Sequence, residues 1–149
     1  MLTNLKIENI AVIENVEVDF DKGLNVMTGE TGAGKSIIID AIGLLMGNRS
    51  DFDKIRNGES KALVEGTFQI NNNVIKNEIN EKYNLIEDDD IIVVSRTLEN
   101  GKSICRLNYR IVPQSVLKDV MEGIIDIHSQ HKNNSFFLDK KQIEYVDLY

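Results

Sequence analysis

Cysteine and proline occur once each, at Cys105 and Pro113. A single cysteine excludes an internal disulfide framework and fits a reducing cytoplasm; on a predicted strand it reads as a small core or edge residue. No apolar run approaches the length of a membrane span, and the first residues lack a basic region followed by an apolar one. Neither a transmembrane helix nor a secretory leader is expected. Basic residues are in the minority, 17 Lys and Arg against 24 Asp and Glu, for a net charge of −7. That argues against a surface devoted wholly to nucleic acid, but not against a local basic patch. No internal repeat and no linker-like low-complexity stretch is visible. What remains is 149 residues, 42% of them hydrophobic, which is enough for one domain with a real core.

Against this background one stretch stands out. Gly29, Glu30, Thr31, Gly32, Ala33, Gly34, Lys35 and Ser36 read GETGAGKS: a glycine, four variable residues, then Gly-Lys-Ser. This is the P-loop pattern. Its glycines let the backbone wrap closely around phosphate with successive N–H groups pointing inward. In that pattern Lys35 reaches the β- and γ-phosphates of ATP, and the Ser36 hydroxyl holds Mg²⁺. The pattern carries weight only between a strand and a helix. Residues 24–28 are a short apolar run after the Asp21-Lys22-Gly23 turn, and read as a buried strand. From Lys35 to Met46 the chain is apolar on several faces (Ile37, Ile38, Ile39, Ala41, Ile42, Leu44, Leu45, Met46). It reads as a helix in the middle of an α/β layer, stopped by Gly47.

Around this unit the periodicity is mostly that of strands. Leu2, Leu5, Ile7 and Ile10 are apolar among polar neighbours, and Val16, Val18 and Phe20 alternate with charged residues, so two strands are expected with a connection near 11–15. Residues 47–60 are polar and irregular. Residues 61–70 alternate again, and 91–98 and 103–107 flank an Asn100-Gly101 hairpin signal. Helical spacing is confined to 74–83 and to a segment from Pro113 to about Glu122. A short buried strand is expected at 123–127, a loop at 128–131, and a last helix near Asp139. The acidic stretch 87–90 reads as a solvated turn.

A P-loop ATPase also needs an acidic residue at the end of a hydrophobic strand, and no run of four apolar residues followed by Asp-Glu exists here. Ile124-Ile125-Asp126 is too short. There is no Asn-Lys-x-Asp element for guanine and no arginine-rich lid of a small nucleotide kinase. The chain carries half of a nucleotide site.

The stretches LTNLKIENIAVIENVEVDF and GLNVMTGETGAGKSIIIDAIGLLMGNR resemble the N-terminal head segment of SMC-like ATPases. IRNGESKALVEGTF, the hairpin GKSICRLNYRIV, the helix after it and IDIHSQH resemble, within that group, the RecN family of DNA double-strand-break repair proteins. The resemblance covers essentially the whole chain. It implies an α/β fold: the N-terminal half of an ABC/SMC-type P-loop ATPase head with an antiparallel β lobe, residues 1–149 ending near the start of a coiled coil. It also accounts for the missing half. In SMC-like proteins a long antiparallel coiled coil splits the head, and the C-terminal segment brings the signature motif and the Walker B acid. The partners implied are that C-terminal half, a second head in a head–head dimer with two ATP molecules between them, and DNA, in a cytoplasmic, nucleoid-associated protein with no membrane contact. Gln130 matches the Q-loop glutamine, whose amide oxygen approaches Mg²⁺ and the attacking water. Arg56 matches a position that lies near nucleotide or DNA, and equally reads as a plain surface arginine. His128 and His131 have metal-ligand spacing, but no Cys or third His accompanies them, so loop roles are expected. At Asn108-Tyr109 the chain departs from the Asn-Gly common in the family, and tyrosine disfavours positive φ.

Two rivals come from other classes: an ATP-binding subunit of a transporter-type ABC protein, and a nucleotide-binding module that does not hydrolyse. Heptad repeats followed downstream by Ser-Gly-Gly and a hydrophobic-Asp-Glu strand would separate the first reading from both.

Overall fold

The computed structural model describes residues 1–28, 33–85 and 90–125. Its centre is one antiparallel sheet of six strands in the order β2-β1-β3-β4-β5-β6. The strands are β1 (Leu2–Ile10), β2 (Ile13–Asp19), β3 (Lys61–Gln69), β4 (Ile91–Glu99), β5 (Lys102–Leu107) and β6 (Arg110–Val112). This is the antiparallel lobe expected from the alternation.

The pleat sends alternate residues to one face. Leu5 and Ile7 on β1, Ala62, Val64 and Phe68 on β3, Ile92, Val94 and Leu98 on β4, and Cys105 and Leu107 on β5 are all buried. At Asn9 a left-handed backbone (φ +55) interrupts the alternation, and Ile10 is buried in its place. The described residues also form three α-helices: α1 (Ala33–Leu45) and α2 (Asn73–Tyr83) between strands, and α3 (Gln114–Ile124) after β6. They complete the core with Ile37, Ala41 and Leu45 from α1, Ile79 from α2, and Leu117, Val120 and Met121 from α3. Helix α1 packs on β3 and β4, and α3 on β5.

The turns follow from local chemistry. The Asn72 side chain caps α2 by accepting from the Val74 and Ile75 amides at 2.9 and 3.4 Å. The β4–β5 and β5–β6 turns both place two residues at positive φ: Asn100 (+51) and Gly101 (+70), then Asn108 (+44) and Tyr109 (+65). That is the geometry of a tight two-residue hairpin turn, and Tyr109 adopts it despite its Cβ.

Two expectations are corrected. Residues 24–28 form no strand, and Leu24 is 91% and Val26 71% exposed. A strand needs a ladder partner, and none of the six strands pairs with this run. The segment instead leaves a turn closed by Asn25, whose side chain accepts from the Asp21 amide at 3.1 Å and donates to the Asp21 carbonyl at 2.8 Å. Nor do Gly123 and Ile124 begin a strand, because they are the last residues of α3. The helical spacing of Leu117, Val120 and Met121 continues to Ile124, which packs against the core. The rest of that expected strand, the loop at 128–131 and the helix near Asp139 lie outside the described residues.

Candidate nucleotide-binding site

Helix α1 starts at Ala33, so the motif does open a helix. Lys35 and Ser36 sit in its first turn, Lys35 half-buried and Ser36 exposed. That turn contains no acidic residue. The positive end of the helix dipole is therefore not offset by a carboxylate of its own, as an anion site requires. Around Gly34 a Cβ would meet no described residue within 4 Å, so the backbone there is open on the side of the described chain. A phosphate fits this end of the helix, and the exposed Ser36 hydroxyl beside it is a neutral oxygen of the kind that holds Mg²⁺ when that ion is carried by the phosphate. Gly29, Glu30, Thr31 and Gly32 lie outside the described residues, as do Gln130, His128 and His131.

The far end of α1 is held more firmly than the sequence foretold. Gly47 (φ +86) closes it: the Gly47 amide donates to the Leu44 carbonyl at 3.1 Å and the Asn48 amide to the Gly43 carbonyl at 3.0 Å. These are the two bonds of a Schellman cap. Gln114 at the start of α3 donates to the Gly47 carbonyl at 2.8 Å. Arg96, on β4, is 1% exposed. Its Nη1 donates to the Leu44 carbonyl at 3.0 Å and also to the Asn48 carbonyl, and its Nε to Ser103 Oγ at 2.8 Å. No carboxylate pairs with it among the described residues, and its Nη2 is buried without a hydrogen-bond partner there. Burial pulls the guanidinium below its ordinary pKa, partly opposed by Cys105, its register partner on β5. The negative end of α1 supplies the compensating field. Reading by motif missed Arg96. The signal was present: Ile92, Val94, Arg96 and Leu98 share one face at a period of two, which puts the arginine inside.

Arg56, in the loop that follows α1, is tied to β1 and β2. Its Nη1 lies 3.3 Å from Glu14 and its amide donates to the Asn9 carbonyl at 2.9 Å. Nearby, Lys54 pairs with Asp40 of α1 at 2.7 Å. The acidic stretch reaches the described residues at Asp90, which pairs with Lys76.

Residues 4–148 match the AAA domain family. The chain belongs to that family. It is 43% identical over 148 residues to the DNA repair protein RecN of Halalkalibacterium halodurans, and 40% identical over 150 residues to that of Bacillus subtilis (strain 168). These alignments cover 99% and 100% of the chain but 26% of each relative, so the chain spans about a quarter of the length of the curated relatives it matches. The similarity to an N-terminal segment of RecN, read above from the motifs, holds over the whole chain.

The fold is that of SMC-type heads. A solved structure described under ATP-driven dimerization and DNA-stimulated activation of SMC ATPases superposes with a TM-score of 0.68 at 23% identity, covering 99% of both chains. An Smc head bound to the C-winged helix domain of ScpA gives 0.65 at 25% identity, over 82% of this chain and 40% of the other. The recombination mediator RecF gives 0.62 at 18%, over 78% of this chain and 29% of the other. Among the described residues, no helix is long and apolar enough to cross a membrane.

Proposed function

We propose that this chain is the ATP-binding N-terminal half of a RecN-like ATPase head acting in DNA double-strand-break repair and recombination. The observation that carries the reading is the start of α1: Lys35 and Ser36 occupy the first turn of a helix that opens directly from GETGAGKS and has no acidic residue there. The loop amides and Lys35 would hold the β- and γ-phosphates of ATP, and Ser36 with Gln130 would hold Mg²⁺. The metal, when bound, neutralises charge that develops between those phosphates. Gln130 would also orient the attacking water.

The exposed run at 24–28 supports a split head. Leu24 and Val26 are apolar and face away from the core, as they would if a strand from elsewhere in the head paired beside them. We assign that strand to the C-terminal half of the same head, which would also bring the Walker B acid. The signature motif would face the P-loop from a second head, with ATP between the two. On this reading residues 1–149 end near the start of the coiled coil, and DNA is engaged by the intact, nucleoid-associated protein.

The test is equilibrium ATP binding by the full gene product, with and without Mg²⁺, beside a Lys35→Ala variant. Binding that is tightened by Mg²⁺ and lost in the variant supports the reading. Equal affinity in the two proteins overturns it.

A further inference from the structure

Arg96 is an unusual residue to bury. An isolated guanidinium carries a large desolvation cost, and an apolar side chain of similar volume is often at least as stable in such a place. This arginine has no acid beside it among the described residues, and one of its nitrogens makes no hydrogen bond there. Its contacts are directional instead. Through Nη1 it binds the carbonyls of Leu44 and Asn48, one on each side of Gly47, and through Nε it binds Ser103 of β5. It thus joins the C-terminal end of α1 to the β4–β5 hairpin.

Helix α1 has 13 residues, so its two ends stand about 20 Å apart at 1.5 Å per residue. A hydrogen-bonded helix is stiff along its axis, so an anchor at one end fixes the other. Gln114 and the Gly47 cap close the same end, but both are bound to the local turn and to α3. Arg96 is the described side chain that ties this end to the sheet by hydrogen bonds.

We propose that Arg96 is a positioning residue: by holding the C-terminal carbonyls of α1 to β4 and β5, it sets where the first turn, with Lys35 and Ser36, stands relative to the antiparallel lobe. The proposal rests on the nucleotide-binding reading of that turn for its consequence, but not for its geometry. Arg96 touches no nucleotide and acts only through the helix. The lobe and the phosphate end of α1 then move as one body, and a change in the hairpin is felt at the P-loop.

The experiment uses the full gene product with Arg96→Met, with Arg96→Lys as the milder variant, and with Ile79→Ala as a core control in α2, which does not touch this anchor. Amide hydrogen exchange without nucleotide gives the first readout. Loss of protection in Arg96→Met that runs from residues 44–48 to 37–40, the first amides of α1 with an intrahelical acceptor, at a temperature where Ile79→Ala leaves 37–40 protected, is the expected result. Loss confined to 44–48, or an equal loss at 37–40 in Ile79→Ala, overturns the proposal. ATP affinity gives the second readout, and a misplacement of the first turn is expected to weaken it about tenfold in Arg96→Met but not in Ile79→Ala. Unchanged affinity in a folded Arg96→Met also overturns the proposal. If Arg96→Met does not fold, Arg96→Lys decides: it keeps the charge but not the forked geometry, and should show the same pattern at smaller amplitude. A wild-type protein that binds no ATP would refute the nucleotide reading alone, and the exchange result would still decide the role of Arg96.

Discussion

Gly66 of β3 faces Leu45 of α1 so closely that a Cβ on the glycine would stand 2.7 Å from the Leu45 Cδ1, and 2.9 Å from the ring of Phe68. The close approach of the helix to the sheet at this point therefore depends on a missing side chain. Gly66→Ala should destabilise the protein by about 1–3 kcal/mol, the usual range for an overpacked core. In a Leu45→Ala background, itself costly by about 2–5 kcal/mol because Leu45 is fully buried, the same glycine substitution should cost less, since one of the two clashing groups is gone. Denaturant midpoints for the two single variants and the double variant measure the coupling; purely additive effects would contradict the contact.

Tyr109 stands at φ +65 and is 73% exposed, whereas the neighbouring hairpin has Gly101 at φ +70 in the equivalent place. A left-handed backbone costs a non-glycine residue roughly 1–2 kcal/mol, and glycine costs roughly 0.5–1 kcal/mol in unfolded-chain entropy. Tyr109→Gly should therefore raise stability slightly, by up to about 1 kcal/mol, while Gly101→Ala should lower it. Urea unfolding of both variants checks the pair of signs.

The Tyr83 hydroxyl donates to Asp119 at 2.7 Å and joins α2 to α3. This bond, chiefly, holds the Asp119 carboxyl below its ordinary pKa. A carboxyl depressed in the folded state adds stability above its unfolded value of about 3.9, and that contribution disappears as pH falls through the lower folded value. The pair is solvent-exposed, so the effect is small. Tyr83→Phe should flatten the pH dependence of stability below about pH 4 and leave the slope near neutrality unchanged. Melting temperatures between pH 2 and 7 provide the measurement; identical profiles would dismiss the coupling.

Most of this architecture was legible in the sequence where one face of an element is buried. Val64 and Phe68, or Ile92 and Leu98, recur every second residue because a pleated strand leaves them no other way inside. The Asn100-Gly101 turn and the Gly47 stop were legible because only certain residues tolerate positive φ. Residues 24–28 were misread because an apolar run shows the wish for burial but not whether a partner strand is within reach. Arg96 was overlooked for the opposite reason: a charge is taken for a surface residue until its place in the strand alternation is counted. The GETGAGKS motif named the residues of the candidate site, but only the start of α1 at Ala33 puts Lys35 and Ser36 on its first turn.

Lys35→Ala should greatly weaken ATP binding or turnover in the full gene product. Lysine is the one full positive charge that the motif directs at the γ-phosphate, and removing it leaves only amides and a dipole there. Because Lys35 is half-buried at the helix start and outside the core cluster, the variant should keep its fold. Circular dichroism together with ATP titration separates the two effects. Wild-type affinity and wild-type hydrolysis in a folded variant would defeat the P-loop assignment.

Residues 1–149 alone should have negligible ATPase activity, even when they bind nucleotide weakly through Gly32, Gly34, Lys35 and Ser36. Phosphoryl transfer is accelerated almost wholly by positioning and by electrostatic stabilisation, so partial sites lose most of the rate. This chain would bring the phosphate cradle and Gln130, but the sequence contains no hydrophobic strand ending in Asp-Glu. The open flank at Leu24 and Val26 is where we expect the strand of the C-terminal half, and with it the acid, to dock. Phosphate release from the purified segment, with Lys35→Ala as the contamination control, gives the answer. Robust turnover that disappears in the control would mean that a catalytic acid lies within these residues, and the split-head assignment would fall.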